Sequence, residues 1–180
     1  MRADARRNYD KVLAAAREAF AEDGAGTSLE EIARRAGVGI GTLYRHFPSR
    51  QELLEAVYVD EVEALAASSV ELQDLPPWDA LVGWVNRLQR YMVTKQALVG
   101  EMLEFMDRSA PLFGMCRKAL YDSGRPIVER AQAEDVIRED VTVEDIIQIV
   151  LGIAKIPANE PGQLDRFIQI ALDGLRYRAS

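Results

Sequence analysis

The segment Thr27-Ser28-Leu29-Glu30-Glu31-Ile32-Ala33-Arg34-Arg35-Ala36-Gly37-Val38-Gly39-Ile40-Gly41-Thr42-Leu43-Tyr44-Arg45-His46-Phe47-Pro48-Ser49-Arg50 decides how this chain folds. Ser28, three residues before Glu31, has the spacing of a capping box, in which the hydroxyl accepts the Glu31 N–H and the Glu31 carboxylate returns to the cap. A helix therefore starts at Leu29. Its inner positions, Leu29, Ile32, Ala33 and Ala36, are small enough overall for a neighbouring helix to approach closely. Gly37 ends it, since glycine takes positive φ at no steric cost, and Val38 is expected to plug the corner before a new helix opens near Gly39. In that helix, Ile40 to Phe47, the side chains of Leu43 and Phe47 lie one turn apart and face inward, so Thr42, Tyr44, Arg45 and His46 face out. Pro48 stops it, and Ser49 caps a further helix with Glu52 at the third position.

Upstream, Val12, Ala16, Ala19 and Phe20 share one face of a helix that Gly24 and Gly26 terminate. Three short helices thus meet at tight turns. The outward set on the third offers hydroxyl donors, a guanidinium able to bind bidentately and a threonine methyl, which suits phosphate and base edges. The bland alternative is a small exposed helix pair with incidental polar residues.

Charge distribution bears on that choice. The 180 residues carry a net −7, which by itself argues against a polyanionic partner. Residues 1 to 50, however, hold nine Lys/Arg against seven Asp/Glu, and the remainder thirteen against twenty-two. A mildly basic head before an acidic body repels phosphate everywhere except at the head, which orients an approach to DNA.

Over roughly residues 9 to 58 the order and spacing resemble the N-terminal domain of the tetracycline-repressor (TetR) family, including the Ala-Phe-Ala-Glu-Asp-Gly end of the first helix. The resemblance implies an all-α protein: a helix-turn-helix head, residues 1 to 55, and a helical effector-binding and dimerisation domain, residues 56 to 180. It further implies a homodimer on a near-palindromic double-stranded operator, released by a small-molecule effector. Carried over by position, Thr42, Tyr44 and His46 become phosphate or base contacts, Arg45 and Ile40 variable reading positions, and Arg50 and Thr27 backbone contacts. Arg6 and Arg7 would lie on a flexible arm able to reach a minor groove, or merely solvate the terminus. Two departures matter. Gly39 stands where a capping side chain is common and supplies no acceptor. Ile40 stands where a polar residue is common, and would pack on a thymine methyl or a sugar.

Beyond residue 55 the period stays helical. Val57 to Val70 continues one helix, Leu75-Pro76-Pro77 breaks the chain, and Leu81, Trp84, Val85, Leu88 and Met92 form the next stripe. Met102, Leu103, Phe105 and Met106 are expected on a following element, and Pro111, Gly114, Gly124 and Pro126 to punctuate what comes after. Thr142 to Asp145 starts an apolar helix over Ile146 to Ile156, and a loop from Pro157 to Gly162 precedes a last helix bearing Leu164, Phe167, Ile168, Ala171, Leu172 and Leu175. No strand is needed.

Ile146, Ile147, Ile149, Val150, Leu151 and Ile153 surround their helix on nearly every side and need more than one neighbour to cover them. The last two helices, about 143–156 and 163–177, are therefore the candidate homodimer surface, with a buried core helix of a monomer as the alternative. Trp84, Leu88, Met102 and Phe105 are candidate effector contacts. So are Met106, Phe113 and Tyr121, because aromatic and thioether side chains line adaptable apolar cavities. Ordinary core is the competing reading for each, and a regulator without an effector is possible.

An enzyme is the rival class. Glu101, Glu104 and Asp107 recur every third residue but lack the histidines of bundle metal sites, and Arg108 suits a solvated ion-pair face. His46 and Cys116 fall in different domains, and no phosphate loop occurs. No catalytic residue, metal or cofactor is expected. A DNA-free adaptor on the same fold is a third reading, which a gel shift separates. Cys116 and Met115 read as buried. The first ten residues lack a signal's apolar core, and no apolar run reaches the ~20 residues that span a bilayer, so no membrane partner and a cytoplasmic location are expected.

Overall fold

A computed structural model describes residues 2–24, 26–107 and 109–176, with all their side chains except those of Arg2, Ala3, Val93, Thr94 and Ala97. The expectation placed on Arg108 lies outside the described residues, as does the end of the last helix at residue 177. Eight helices occur among the described residues: α1 (Arg2–Asp23), α2 (Leu29–Ala36), α3 (Ile40–His46), α4 (Arg50–Glu71), α5 (Pro77–Met102), α6 (Pro111–Ala133), α7 (Val143–Ala154) and α8 (Gln163–Leu175). The only pairing of extended backbone among them is a lone antiparallel bridge between Ile137 and Arg176. The fold is all-α.

Two compact units form, and no single cut in the chain separates them. The first unit combines residues 1–61 with 93–110, the second 62–92 with 111–180. Helices α4 and α5 each run from one into the other.

In the first unit, α1 packs on α2 and α3. Val12, Ala16, Ala19 and Phe20 are buried from its side, Ile32, Ala33 and Leu43 from theirs. Gly24, at φ +86°, and Gly37, at φ +66°, make the two turns in the left-handed region that glycine alone enters freely. Arg17 of α1 reaches Asp60 at 3.5 Å and Glu61 at 3.4 Å on α4. Burial pushes the Glu61 carboxyl above its ordinary value, and Arg17 only partly offsets this. The N-terminal arm is not loose: Arg6 and Arg7 lie inside α1, Arg6 3.1 Å from Asp10 and Arg7 paired with Asp4. Acidic residues three or four positions away stabilise helix there, as the sequence spacing allows.

In the second unit the stripe Leu81, Trp84, Val85, Leu88 and Met92 is buried. Pro77 opens α5 at the first helical position, where its missing N–H costs nothing. Three expectations need correction. Helix α5 runs through Met102, so Met102 closes it, while Leu103 to Met106 form a turn. Pro111, Gly114, Gly124 and Pro126 do not punctuate, since all four lie in the single helix α6. Pro111 is its first residue, and Gly124 serves packing: a Cβ there would lie 2.2 Å from Trp84 Cζ2, so only glycine lets α6 and α5 meet. Met115 is 63% exposed, because it falls on the outer face of α6, whereas Cys116 next to it is buried.

Thr142 and Asp145 make a complete capping box on α7, with Thr142 Oγ1 accepting the Asp145 N–H at 3.1 Å and Asp145 Oδ2 accepting the Thr142 N–H at 2.9 Å. The helix stops at Ala154, two residues short of the expected Ile156, which is exposed. Ile146, Ile147 and Val150 are buried, but Ile149 is 41% exposed.

Candidate nucleic-acid interface

The turn between α2 and α3 sets the site. Ser28 Oγ accepts the Glu31 N–H at 3.2 Å, as the capping box requires. Its return half is not made. The Glu31 carboxylate instead takes Arg34 Nε at 2.8 Å and Arg35 Nε at 2.9 Å, because two guanidiniums one turn away outbid a single backbone N–H for a full charge. Those hydrogen bonds hold the Glu31 carboxyl down at about 2. Arg35 also bonds Glu22 at 2.9 Å and Asp23, which ties α2 to the end of α1. The Gly37 N–H and the Val38 N–H close the helix on Arg34 and Ala33 carbonyls.

Helix α3 opens at Gly39 with no side-chain cap, as its lack of an acceptor dictates. Leu43 and Phe47 are buried, which fixes the rotation of the helix. Tyr44 is consequently 44% exposed and Ile40 37% exposed, one turn apart on the outer surface. Arg45 is exposed and folds back on its own helix, donating from Nε to the Gly41 carbonyl at 3.0 Å and from Nη2 to Thr42 Oγ1 at 3.3 Å. His46 is half-buried and meets the Tyr9 ring edge-on at 6.0 Å, so one side of its ring lies in the seam with α1.

The two flanking residues are more occupied than the sequence implied. Thr27 Oγ1 donates to the Gly24 carbonyl at 2.9 Å. Arg50 donates from Nε to Glu101 Oε1 at 3.0 Å, from Nη2 to Oε2 at 3.3 Å, and from Nη1 to the Thr27 carbonyl at 2.6 Å. Its guanidinium also sits 5.8 Å from the Phe20 ring centroid. Glu101 and Tyr9 are the partners that sequence reading missed. A separation of 51 residues carries no local signal, and Glu101 stood out only as one of three spaced carboxylates. Among the described residues no three metal-ligating side chains gather.

The candidate effector contacts divide between the units. Trp84, Leu88 and Phe113 are buried in the second unit and Tyr121 is half-buried there, whereas Met102, Phe105 and Met106 belong to the first. Trp84 is tightly packed, its ring N–H 3.4 Å from Ser123 Oγ. Among the described residues an apolar groove opens elsewhere in the second unit, on α5, α7 and α8, between Val85, Ile149, Val150, Ile168 and Leu172.

A tight two-helix turn presenting an exposed hydroxyl, guanidinium and aliphatic group from one rigid helix is a DNA-reading head. The chain's relatives agree. Residues 12–57 match the family of bacterial regulatory proteins called tetR, and residues 76–177 match the C-terminal domain of SbtR-like transcriptional regulators. The transcriptional regulator UidR of Escherichia coli is 30% identical over 158 residues, 85% of this chain and 81% of that one. The TetR regulator SCO0520 of Streptomyces coelicolor superimposes with a TM-score of 0.82 at 36% identity, covering 95% of this chain and 99% of that one. A TetR regulatory protein from Mycobacterium vanbaalenii gives 0.78 at 32%, covering 97% and 98%. This chain belongs to the TetR family of DNA-binding transcriptional regulators.

Proposed function

We propose that the protein is a repressor that binds a near-palindromic duplex operator as a homodimer and leaves it when a small apolar effector occupies the body. The observation that carries this reading is the outer face of α3, where burial of Leu43 and Phe47 leaves Ile40, Thr42, Tyr44 and Arg45 turned away from the core. Arg45, with its fork-shaped donor set, and Ile40, an aliphatic surface for a thymine methyl, read base edges, while Thr42, Tyr44, His46, Thr27 and Arg50 position the head on phosphates. One such helix reads too few base pairs for useful specificity, which favours two heads on successive major grooves. The division of labour falls near residue 55, with reading before it and effector binding and dimerisation after it.

The apolar groove on α7 and α8 supports a dimer through those helices. For the effector, the second unit's aromatic side chains Trp84, Phe113 and Tyr121, with Leu88, are the proposed contacts. No described helix is long and apolar enough to cross a membrane, which accords with a regulator that works beside DNA in the cytoplasm. Selection of bound sequences from random duplexes by the purified protein is the test. A recovered inverted repeat supports the reading, and recovery of unselected sequence overturns it.

A further inference from the structure

The Arg50 guanidinium spends two of its donors on one carboxylate, and that carboxylate comes from α5. Glu101 lies in the last turn of α5, a helix continuous from Pro77 in the second unit to Met102 in the first. The fork-to-fork pair, at 3.0 and 3.3 Å, is partly shielded, with side-chain exposure of 28% for Arg50 and 24% for Glu101. A carboxylate and a phosphate present the same pair of anionic oxygens to a guanidinium, and one guanidinium edge cannot serve both. We propose that Glu101 is a built-in competitor for DNA phosphate: it holds Arg50 in the free protein, and operator binding requires Arg50 to exchange Glu101 for the DNA backbone. Glu101 is thus a positioning residue that sets operator affinity through Arg50, placed in the last turn of α5. This rests on the proposed phosphate role of Arg50.

The competition has a sign that a merely structural ion pair does not share. If the pair only braced the head, breaking it would weaken DNA binding. If Glu101 competes, removing its charge releases the guanidinium edge that Glu101 holds and tightens binding. Full-length wild type, Glu101→Gln, Glu101→Ala, Arg50→Ala and the double variant Arg50→Ala/Glu101→Gln are titrated with the selected operator over a range of salt concentrations. We expect both Glu101 variants to bind about two- to tenfold tighter. Their log affinity should fall with log salt as steeply as that of wild type, since Arg50 meets the same phosphate in each complex, whereas Arg50→Ala should lower the slope by about 0.9. In the Arg50→Ala background, Glu101→Gln should change neither quantity. Weaker binding by both Glu101 variants, or the same gain with and without Arg50, overturns the competition. Arg50→Ala binding like wild type while Glu101→Gln still binds tighter overturns the phosphate role of Arg50 and the competition with it. Arg50→Ala weaker than wild type with Glu101→Gln no tighter leaves the phosphate role standing and overturns the competition alone.

Discussion

At the scale of single residues, Arg45, Arg50 and Glu31 of the head each hold partners within the chain. Arg45 lies on α3 bonded to the Gly41 carbonyl and Thr42 Oγ1, both solvent-side acceptors that cost little to abandon for a base edge. Replacing it with alanine should relax preference at particular base pairs, by about 1–3 kcal/mol each, whereas Tyr44→Phe should weaken all sequences alike. Binding of single-base-pair operator variants measures the difference, and an equal loss on every variant would make Arg45 a backbone contact. Glu31 supplies a pH signature. Its carboxyl titrates at about 2 in the folded chain against 4.5 ordinarily, chiefly through its hydrogen bond with Arg34 and then Arg35. A depressed carboxyl contributes stability that is complete above the ordinary value and disappears as pH falls through the folded one. Denaturant titrations should therefore show the stability gap between wild type and Glu31→Gln shrinking between about pH 5 and pH 2. A gap constant over that range would mean the two arginines do not hold Glu31 in solution. Ser28, Gly37, Leu43 and Phe47 were legible because their roles are local, a cap, a left-handed turn and an inner face. Glu101 was not, because the partner of Arg50 is set by tertiary packing.

Among the elements, the same division explains where reading by period failed. Helices α2, α3, α7 and α8 carry their own start or stop signals, and the expected limits lie close to the observed ones, whereas α1 stops before Gly24 as expected but begins at Arg2, through the expected arm. Helix α6 contains Gly114, Gly124 and Pro126, all breakers by propensity, and is nevertheless one 23-residue helix. Tertiary contact outweighs propensity there: eight of its residues are buried, and Gly124 is the point where Trp84 lies against the backbone. Gly124→Ala, stabilising in an ordinary helix, should here destabilise by about 1–3 kcal/mol through overpacking. Trp84→Phe should offset part of that loss in the double variant, since it withdraws the ring atoms nearest the new methyl. Chemical denaturation of the four proteins completes the cycle, and additive effects would show that the two sites do not touch. Thr142→Ala removes the accepting half of the α7 cap and should cost about 1 kcal/mol, read as a lower denaturant midpoint at unchanged slope.

For the whole molecule, the remaining expectation is association. The groove on α5, α7 and α8 is lined by Val85, Ile149, Val150, Ile168, Ala171 and Leu172, and the described chain itself leaves Ile149 41% exposed within it. An apolar concavity in an otherwise acidic body suits a second copy, since like-charged surfaces meet stably only where apolar side chains come together and water is excluded. Ile149→Glu places a carboxylate in a groove lined by apolar side chains, and burying it unpaired costs several kcal/mol. The variant should stay fully helical by far-ultraviolet circular dichroism, because Ile149 is not part of the monomer's buried core. It should sediment at the chain mass where wild type sediments at twice that mass. On DNA it should bind a two-half-site operator no better than a single half-site, since the advantage of two linked heads comes from raising the second head's effective concentration. A wild-type monomer at micromolar concentration, both free and with operator, would show that the groove is not a self-association surface. An Ile149→Glu protein still dimeric would instead move that surface off α7.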